Sequence, residues 1–334
     1  MKIAEIDYDL PEHLIAQAPL QDRSASRMLC LSRATGAIHH GHFLDIIELL
    51  DPGDLLVLNN TRVTTVRLIG HKPTGGVVEA LVMRKATNGL HEVLLKPSKR
   101  IRAGTKIQFQ GGVEGEVVEG GDEMVRYLSL SPESEALLQA AGSVPLPPYI
   151  HQSLDDAERY QTVYNQVPGS AAAPTAGLHF TPAVLDALRA KGVGASFVTL
   201  SVGLDTFRPV SVDETSDHVM HGEMCAVGPD TAEKIENCRG RVVAVGTTTA
   251  RTLETHATGP RKINTGTLNS KIFITPGYEF KIVDGLLTNF HMPRTTMLLM
   301  LAALVGVKPL MKAYGEAVQH QYRFLSFGDS MLLI

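Results

Sequence analysis

The spacing of hydrophobic positions along this chain changes character at two points. From residue 3 to about residue 61, short helical and strand-like stretches mix, and the clearest apolar run is Leu55–Leu58, ended by the polar segment Asn59–Arg62. From there the pattern tightens. Val66–Gly70, Val77–Arg84, Leu90–Lys96, Lys106–Gln110, Gly115–Glu119 and Met124–Leu130 read as short strands. Gly75-Gly76, Asn88-Gly89, Gly111-Gly112 and Gly120-Gly121 lie between them as turns. Six short strands punctuated in this way predict a small barrel. Ser131–Ala141 then reads as a helix with Ser131 as its cap and Pro132 after it, and Pro145–Ile150 (PLPPYI) is a stiff connector.

Beyond the connector, helical and strand periods alternate. Val184–Lys191, Thr231–Asn237, Thr248–His256 and Thr295–Val305 are predicted helices. Ala195–Val202, Val242–Val245, Ile272–Ile274 and Leu286–Phe290 are predicted strands. Such alternation implies α/β layering. The predicted fold is a large mixed α/β domain, residues 1–63 and 148–334, interrupted by an inserted small antiparallel β-barrel domain, residues 64–147. The longest apolar run, Met297–Val307, is too short to span a bilayer and reads as a buried helix.

One stretch fits no period. Gly169–Phe180 is broken by Gly169, Pro174 and Gly177, and most of its side chains are small, which lets backbone approach a ligand closely. Thr175 and His179 add a hydroxyl and an imidazole, and Thr181-Pro182 then opens a helix. A long loop without structure of its own, ending at a helix N-terminus, is a candidate site for a carboxylate-bearing ligand. Three other apolar stretches, Phe197–Phe207, Val242–Glu254 and Leu286–Thr296, break into small or hydroxylated residues. Ligands of open α/β sheets sit beyond the carboxyl ends of strands. The expected pocket therefore joins Ala173–His179, Ser201–Phe207, Gly246–Thr248 and Asn289–Arg294. Gly246, Thr247 and Thr248 offer N–H groups and hydroxyls at a helix start; the alternative is a plain cap on Thr248.

Composition narrows the class. The chain has 334 residues, 20% of them charged, a net charge of −4 and no Trp. Bulk basicity is absent, so any contact with RNA has to use a local patch. Lys96, Lys99, Arg100 and Arg102 form such a run, with Arg62 and Arg67 as additions; a solvated face is the alternative. Cys30, Cys225 and Cys238 form no C-x-x-C pair, and Cys225 and Cys238 with His218 and His221 match no common zinc spacing, so no metal is expected. The opening residues Met1–Leu10 do not read as a signal peptide, and the expected location is the cytoplasm. Lys191–Phe197 (KGVGASF) follows a helix and leads into a strand, the reverse of a dinucleotide fingerprint, and GTTTAR at Gly246–Arg251 lacks the Gly-Lys of a phosphate-binding loop.

Many blocks along the chain occur together in one order. They include DYDLPEHLIAQAPL (Asp7–Leu20), PGDLLVLNNTRV (Pro52–Val63), KPSKR (Lys96–Arg100), ERYQTVY (Glu158–Tyr164) and AAPTAGLHFT (Ala172–Thr181). FVTLSVGLDTFRPV (Phe197–Val210), MHGE (Met220–Glu223), VAVGTTTARTLE (Val243–Glu254) and LLTNFHMPRTT (Leu286–Thr296) complete the series. In these blocks the chain resembles the S-adenosylmethionine:tRNA ribosyltransferase-isomerases of queuosine synthesis. It departs from their pattern at Ser201, where a His is usual, at Asp205, where a Gly is usual, and at Gly222, often a Ser.

The resemblance implies transfer of the ribosyl part of S-adenosylmethionine onto the aminomethyl group of a 7-deazaguanine in the anticodon loop of tRNA, with release of adenine and methionine. S-adenosylmethionine is then a consumed substrate, no cofactor is needed, and a monomer is expected. Such chemistry needs a base for the C5′ proton beside the sulfonium, an acceptor for the amine proton and hydrogen bonds to the departing adenine. His179, in the loop least explicable by packing, is the first candidate for proton acceptor and His291 the second, with Asp205 as a further base and His218, His221 and Glu223 as further titrating groups. Thr175, Gly177, Phe180, Phe207, Arg208, Gly246, Thr247, Thr248, Arg251 and Asn289 are the candidates for substrate contact, and Phe180, Phe207 and Tyr160 are the rings that could face the sulfonium. Arg62, Lys96, Lys99, Arg100 and Arg102 are the candidates for tRNA contact. From the residues alone the reading stops at an α/β enzyme with an inserted barrel and an unidentified pocket. An RNA-binding module with a vestigial pocket and a methyltransferase using the same donor are the rivals.

Overall fold

The computed structural model describes residues 1–98, 101–121, 125–203, 212–220 and 222–334. The chain divides into two compact units, Met1–Thr61 with Pro147–Val167 and Ala173–Ile334, and Arg62–Leu146 with Pro168–Ala172. Pro168–Ala172 thus clusters with the barrel, although its place in sequence lies within the span assigned to the α/β domain.

In chain order the first unit contributes β1 (Arg27–Leu31), β2 (Ile38–His42) and β3 (Leu55–Asn59). The second contributes β4 (Val66–His71), β5 (Val77–Lys85), β6 (His91–Lys96), β7 (Lys106–Phe109), β8 (Glu114–Val118), β9 (Val125–Leu130) and α1 (Pro132–Ala141). The first unit resumes with α2 (Pro182–Lys191), β10 (Gly194–Leu200), β11 (Glu223–Val227), α3 (Pro229–Glu236), β12 (Val242–Val245) and α4 (Thr247–His256). It ends with β13 (Gly266–Ser270), β14 (Gly285–Asn289), α5 (Thr296–Val305), α6 (Val307–Gln319) and β15 (Ser330–Leu333).

The six strands of the second unit close an antiparallel barrel in the order β9-β6-β5-β4-β7-β8. Alternation drives it: β4 and β6 bury every second residue, and Leu68, Val78, Ala80, Val93 and Ile107 fill the interior. Ser131 caps α1 by accepting from the Ser134 N–H at 3.2 Å, and Leu138 of that helix joins the barrel core.

The sheet of the first unit runs β13-β11-β10-β3-β12-β14-β15-β1-β2 among the described residues. Its middle strands β10, β3, β12 and β14 are parallel, and β3, β12 and β14 are buried along their whole length. Successive residues point to opposite faces. Leu55, Val57, Val242 and Ala244 enter one apolar cluster, and Leu56, Leu58, Val243 and Val245 enter the other. Burial on both faces explains why these strands read as unbroken apolar runs.

Two expectations fail here. Ile272–Ile274 is not a strand; the sheet edge is instead Gly266–Ser270, whose sequence GTLNS carries no apolar period. The stretch after it, Tyr278–Val283, is pinned by Glu254, whose buried carboxylate accepts from the N–H groups of Lys281, Ile282 and Val283, each at 3.0 Å, and from Tyr278 Oη at 2.9 Å. Gly169–Phe180 is also less irregular than it reads, since Val167–Ser170 is a strand and Thr175–His179 a 3₁₀ turn. No single helix among the described residues is long and apolar enough to cross a membrane; α5 is an interior helix of the first unit, and α6 bends away from it by 116°.

Candidate active site

The parallel strands β10, β3, β12 and β14 all end at one edge of the sheet, and an open cavity of about 670 Å³ lies beyond them. Residues of all four interrupted blocks reach it: Ala173–Ala176, Val202, Gly246–Thr248 and Thr288–Met292. The polar side chain of Asn59 ties the strand ends together. Its amide accepts from the Leu200 N–H at 3.1 Å and donates to the Leu200 carbonyl at 3.0 Å, and its Nδ2 lies 3.4 Å from Thr248 Oγ1.

The small-residue loop has two sides. Thr175 faces the cavity, and its hydroxyl donates to Asn289 Oδ1 at 3.1 Å. Gly177 does not line the cavity. A Cβ there would lie 1.9 Å from the Tyr164 hydroxyl, so the glycine serves close packing rather than approach to a ligand. Phe180 is wholly buried, edge-on to Phe43 at 5.0 Å, and Tyr160 is buried against Phe327 at 5.8 Å. Both rings are core residues with no face toward the cavity, which corrects the sulfonium-contact expectation for them.

His179 and His291 differ sharply. His179 is buried behind Asn289 and does not line this cavity. Asn289 Nδ2 stands 3.1 Å from its Nε2 and 3.5 Å from the Asp329 carbonyl. That carbonyl can only accept, so Nδ2 is the donor and Nε2 accepts. The ring proton of the neutral imidazole then sits on Nδ1 and donates to Ser26 Oγ at 2.8 Å. Both nitrogens are engaged. Burial, then the charges of Arg323 and Arg23, push the His179 pKa down to about 4.

His291 lines the cavity itself. Its Nε2 is 2.8 Å from Thr288 Oγ1, its N–H donates to Tyr314 Oη at 3.0 Å, and its carbonyl accepts from Tyr8 Oη. The backbone is therefore clamped from two sides. Burial pushes this imidazole down to about 4 as well, so it is neutral at pH 7.

Helix α4 presents its N-terminus to the cavity. Gly246, at φ 89°, is the cap residue, and no side chain caps the first turn. The plain cap on Thr248 is thus not what forms. The hydroxyls of Thr249 and Thr252 bond back to the carbonyls of Val245 and Thr248 and are spent inside the helix. Thr247 and Thr248, the first residues of the helix, line the cavity instead, which puts the positive helix end at its wall. Arg251 lies one turn further in, ion-paired with Glu223 and donating to the Ser270 carbonyl at 2.9 Å. Glu223 also accepts from the Gly203 N–H at 3.0 Å. This buried pair joins α4 to the sheet edge, and Arg251 does not line the cavity.

Asp205, Phe207, Arg208, His221, Lys99 and Arg100 lie outside the described residues. On the barrel unit Lys96 and Arg102 are exposed and Arg62 is partly buried, while Arg67 is engaged with Glu79 at 2.8 Å. His218 packs at a tilt against Phe273 with ring centroids 5.1 Å apart, and among the described residues no three His, Cys, Asp or Glu side chains converge as metal ligands would. Sequence reasoning missed Tyr149 and Ser326, whose hydroxyls meet at 2.7 Å on the cavity wall; burial pushes the Tyr149 phenol up to about 12. Tyr149 sits in the connector PLPPYI, read above only as a stiff link, and the segment of Ser326 drew no reading.

The family model described as queuosine biosynthesis protein matches residues 3–333. The chain belongs to that family. It is similar over its full length, and over theirs, to the S-adenosylmethionine:tRNA ribosyltransferase-isomerases of Staphylococcus haemolyticus at 48% identity and Clostridioides difficile at 47%. The enzyme of the same name from Symbiobacterium thermophilum is 49% identical over the same extent. Among solved structures it resembles the S-adenosylmethionine tRNA ribosyltransferase of Thermotoga maritima, with 36% identity, 99% of this chain and 100% of that chain covered, and a TM-score of 0.56. Kinship of this extent makes the chain an enzyme of the queuosine biosynthesis family, and the cavity at the strand ends its candidate active site.

Proposed function

We propose that this enzyme transfers and isomerises the ribosyl part of S-adenosylmethionine onto 7-aminomethyl-7-deazaguanine in tRNA, giving epoxyqueuosine-tRNA, adenine and methionine. The observation that carries the reading is full-length kinship with enzymes named for this substrate pair, joined to one cavity that offers both an anion-binding helix end and a neutral imidazole. S-adenosylmethionine is consumed as a substrate, with no cofactor beside it, and the enzyme works as a cytoplasmic monomer.

The methionyl carboxylate fits the N-terminus of α4 at Thr247 and Thr248, where a helix end is worth about 0.3–1 kcal/mol to an anion. His291 is the proton acceptor. Burial keeps the ring neutral at pH 7 while lowering its basicity, and the clamp of Tyr8 and Tyr314 on its backbone fixes the segment that carries it. His179 is a positioning residue. Through Nε2 it orients the Asn289 amide, which with Thr175 presents a fixed hydrogen-bonding edge to substrate.

Incubation with S-adenosylmethionine and tRNA bearing the aminomethyl base tests this. Adenine and methionine in equal amounts are expected. S-adenosylhomocysteine in their place would mean methyl transfer, and binding without turnover would mean an RNA-binding module.

A further inference from the structure

A second, smaller pocket, open to solvent and about 320 Å³ with that open space included, lies beside His179. Arg23, Arg159, Ser26 and His179 line it, and it shares Ser326 with the candidate active site. Arg323 stands close enough for its charge, with that of Arg23, to act on His179. We infer that this second cavity is an oxyanion site that takes a backbone phosphate of the substrate RNA, an assignment of ligand that rests on the proposed function.

The three guanidinium groups are held in place by carbonyls, while the charges of Asp22 on Arg159, Asp329 on Arg323, and Asp156 and Glu158 on Arg23 act without a direct ion-pair contact. Arg23 donates to the carbonyls of Gln161 at 2.9 Å and Glu158 at 2.8 Å. Arg159 donates to the carbonyls of Gln21 at 3.0 Å and of Leu20, and Arg323 to that of Ala18. Carbonyls fix orientation and carry no charge. Among the described residues none of the three forms a salt bridge, and Arg159 Nε and Arg323 Nη1 are buried without a hydrogen-bond partner.

The carboxylates nearby are committed or peripheral. Asp22 is spent on the N–H and hydroxyl of Ser24. Asp329 accepts from the N–H groups of Arg27 and Arg323 and lies 3.5 Å from Arg27 Nε. Asp156 and Glu158, which act on Arg23, are exposed. Arg23 and Arg159 repel one another, and burial and that repulsion hold Arg23 below the usual guanidinium range. Converging, partly buried cations with spare donors are matched by a group that brings negative charge and several acceptor oxygens. The methionyl carboxylate is already accounted for at α4. The two cavities share a wall at Ser326, so an anion in the second would neighbour a base held in the first.

Arg159→Gln removes the charge and keeps an N–H donor for the loop carbonyls. It is expected to raise KM for the RNA about tenfold and to lower the slope of log Kd against log salt by about 0.7–1, with KM for S-adenosylmethionine unchanged. Arg159→Lys, which keeps the charge and loses the fork, is expected to fall between. On the wild-type protein, independent of any folding defect, inorganic phosphate at constant ionic strength is expected to compete with the RNA and not with S-adenosylmethionine. An unchanged salt slope and RNA affinity in well-folded Arg159→Gln would overturn the site. So would competition of phosphate against S-adenosylmethionine, which would hand the cavity to the methionyl carboxylate. Fluorescence anisotropy of a labelled anticodon stem-loop separates the two proposals: if wild type binds RNA without releasing adenine, the functional reading fails while the binding constants still judge the phosphate site.

Discussion

Two histidine-bearing segments meet at Asn289, and they solve opposite problems. In Thr175–His179 the imidazole is turned inward, with Ser26 on one nitrogen and Asn289 on the other. In Thr288–Met292 the imidazole stands on the cavity wall with Thr288 on Nε2, and the clamping falls on its backbone, through Tyr314 and Tyr8. Both rings are kept neutral by burial. Only His291 combines that neutrality with a place on the wall of the larger cavity at the strand ends. A shifted pKa by itself therefore does not identify a proton acceptor; the partners of each ring nitrogen do.

The largest effect that would break this contrast is kinetic. His291→Ala is expected to keep its affinity for S-adenosylmethionine by calorimetry while single-turnover adenine release falls by roughly two to four orders of magnitude. His179→Ala should lose about tenfold or less through disorder of Asn289. If a folded His179→Ala protein proves the more damaged of the two, the roles assigned here are reversed.

The next effect is pH dependence of stability. Unfolded imidazoles take up protons near 6.5, whereas the folded protein holds both near 4. Stability supplied by the neutral rings is complete above about pH 6.5 and is lost progressively as pH falls toward 4. Each pH unit between the two values is worth about 1.4 kcal/mol per group, so a loss on the order of a few kcal/mol is expected. Urea midpoints across that window measure it. His179→Gln should flatten the curve relative to wild type, and an unchanged slope would show that His179 is not titrating as described.

A smaller effect sharpens the view of the loop as half core. Gly177→Ala is expected to cost about 1–3 kcal/mol, because its new methyl meets the Tyr164 hydroxyl. Tyr164→Phe in the same chain should restore part of that loss. No recovery in the double variant would mean that the glycine is needed for something other than this contact. The smallest change is Thr175→Val, which removes the hydroxyl that steadies Asn289 and should shift KM for S-adenosylmethionine only a few-fold, on the order of 1 kcal/mol.

Much of the architecture could be read before any coordinates. Period-two alternation and paired glycines marked all six barrel strands to within a residue or two, because a small closed barrel must bury alternate side chains. The unbroken apolar runs of β3, β12 and β14 signalled a sheet covered on both faces. Less legible were β1, β2, β13 and β15, where IHHGH and GTLNS carry no strand period and pairing rather than composition makes the strand.

The same division holds at the site. Sequence by itself determined which blocks end apolar strands in small and hydroxylated residues, and so that their ends converge. It also carried the family, through many motifs in one order. Tertiary structure alone decided which side of each block meets the cavity. Gly177 and Phe180 read as ligand contacts and are packing residues, because Tyr164 and Phe43 arrive from elsewhere in the chain. Sequence favoured His179 over His291 as the proton acceptor, whereas the structure engages both His179 nitrogens with Ser26 and Asn289 and puts His291, beside Thr288, on the cavity wall. The physical reason is that local pattern sets backbone period, whereas burial, hydrogen-bond partners and the field of distant charges are set by residues far away in sequence.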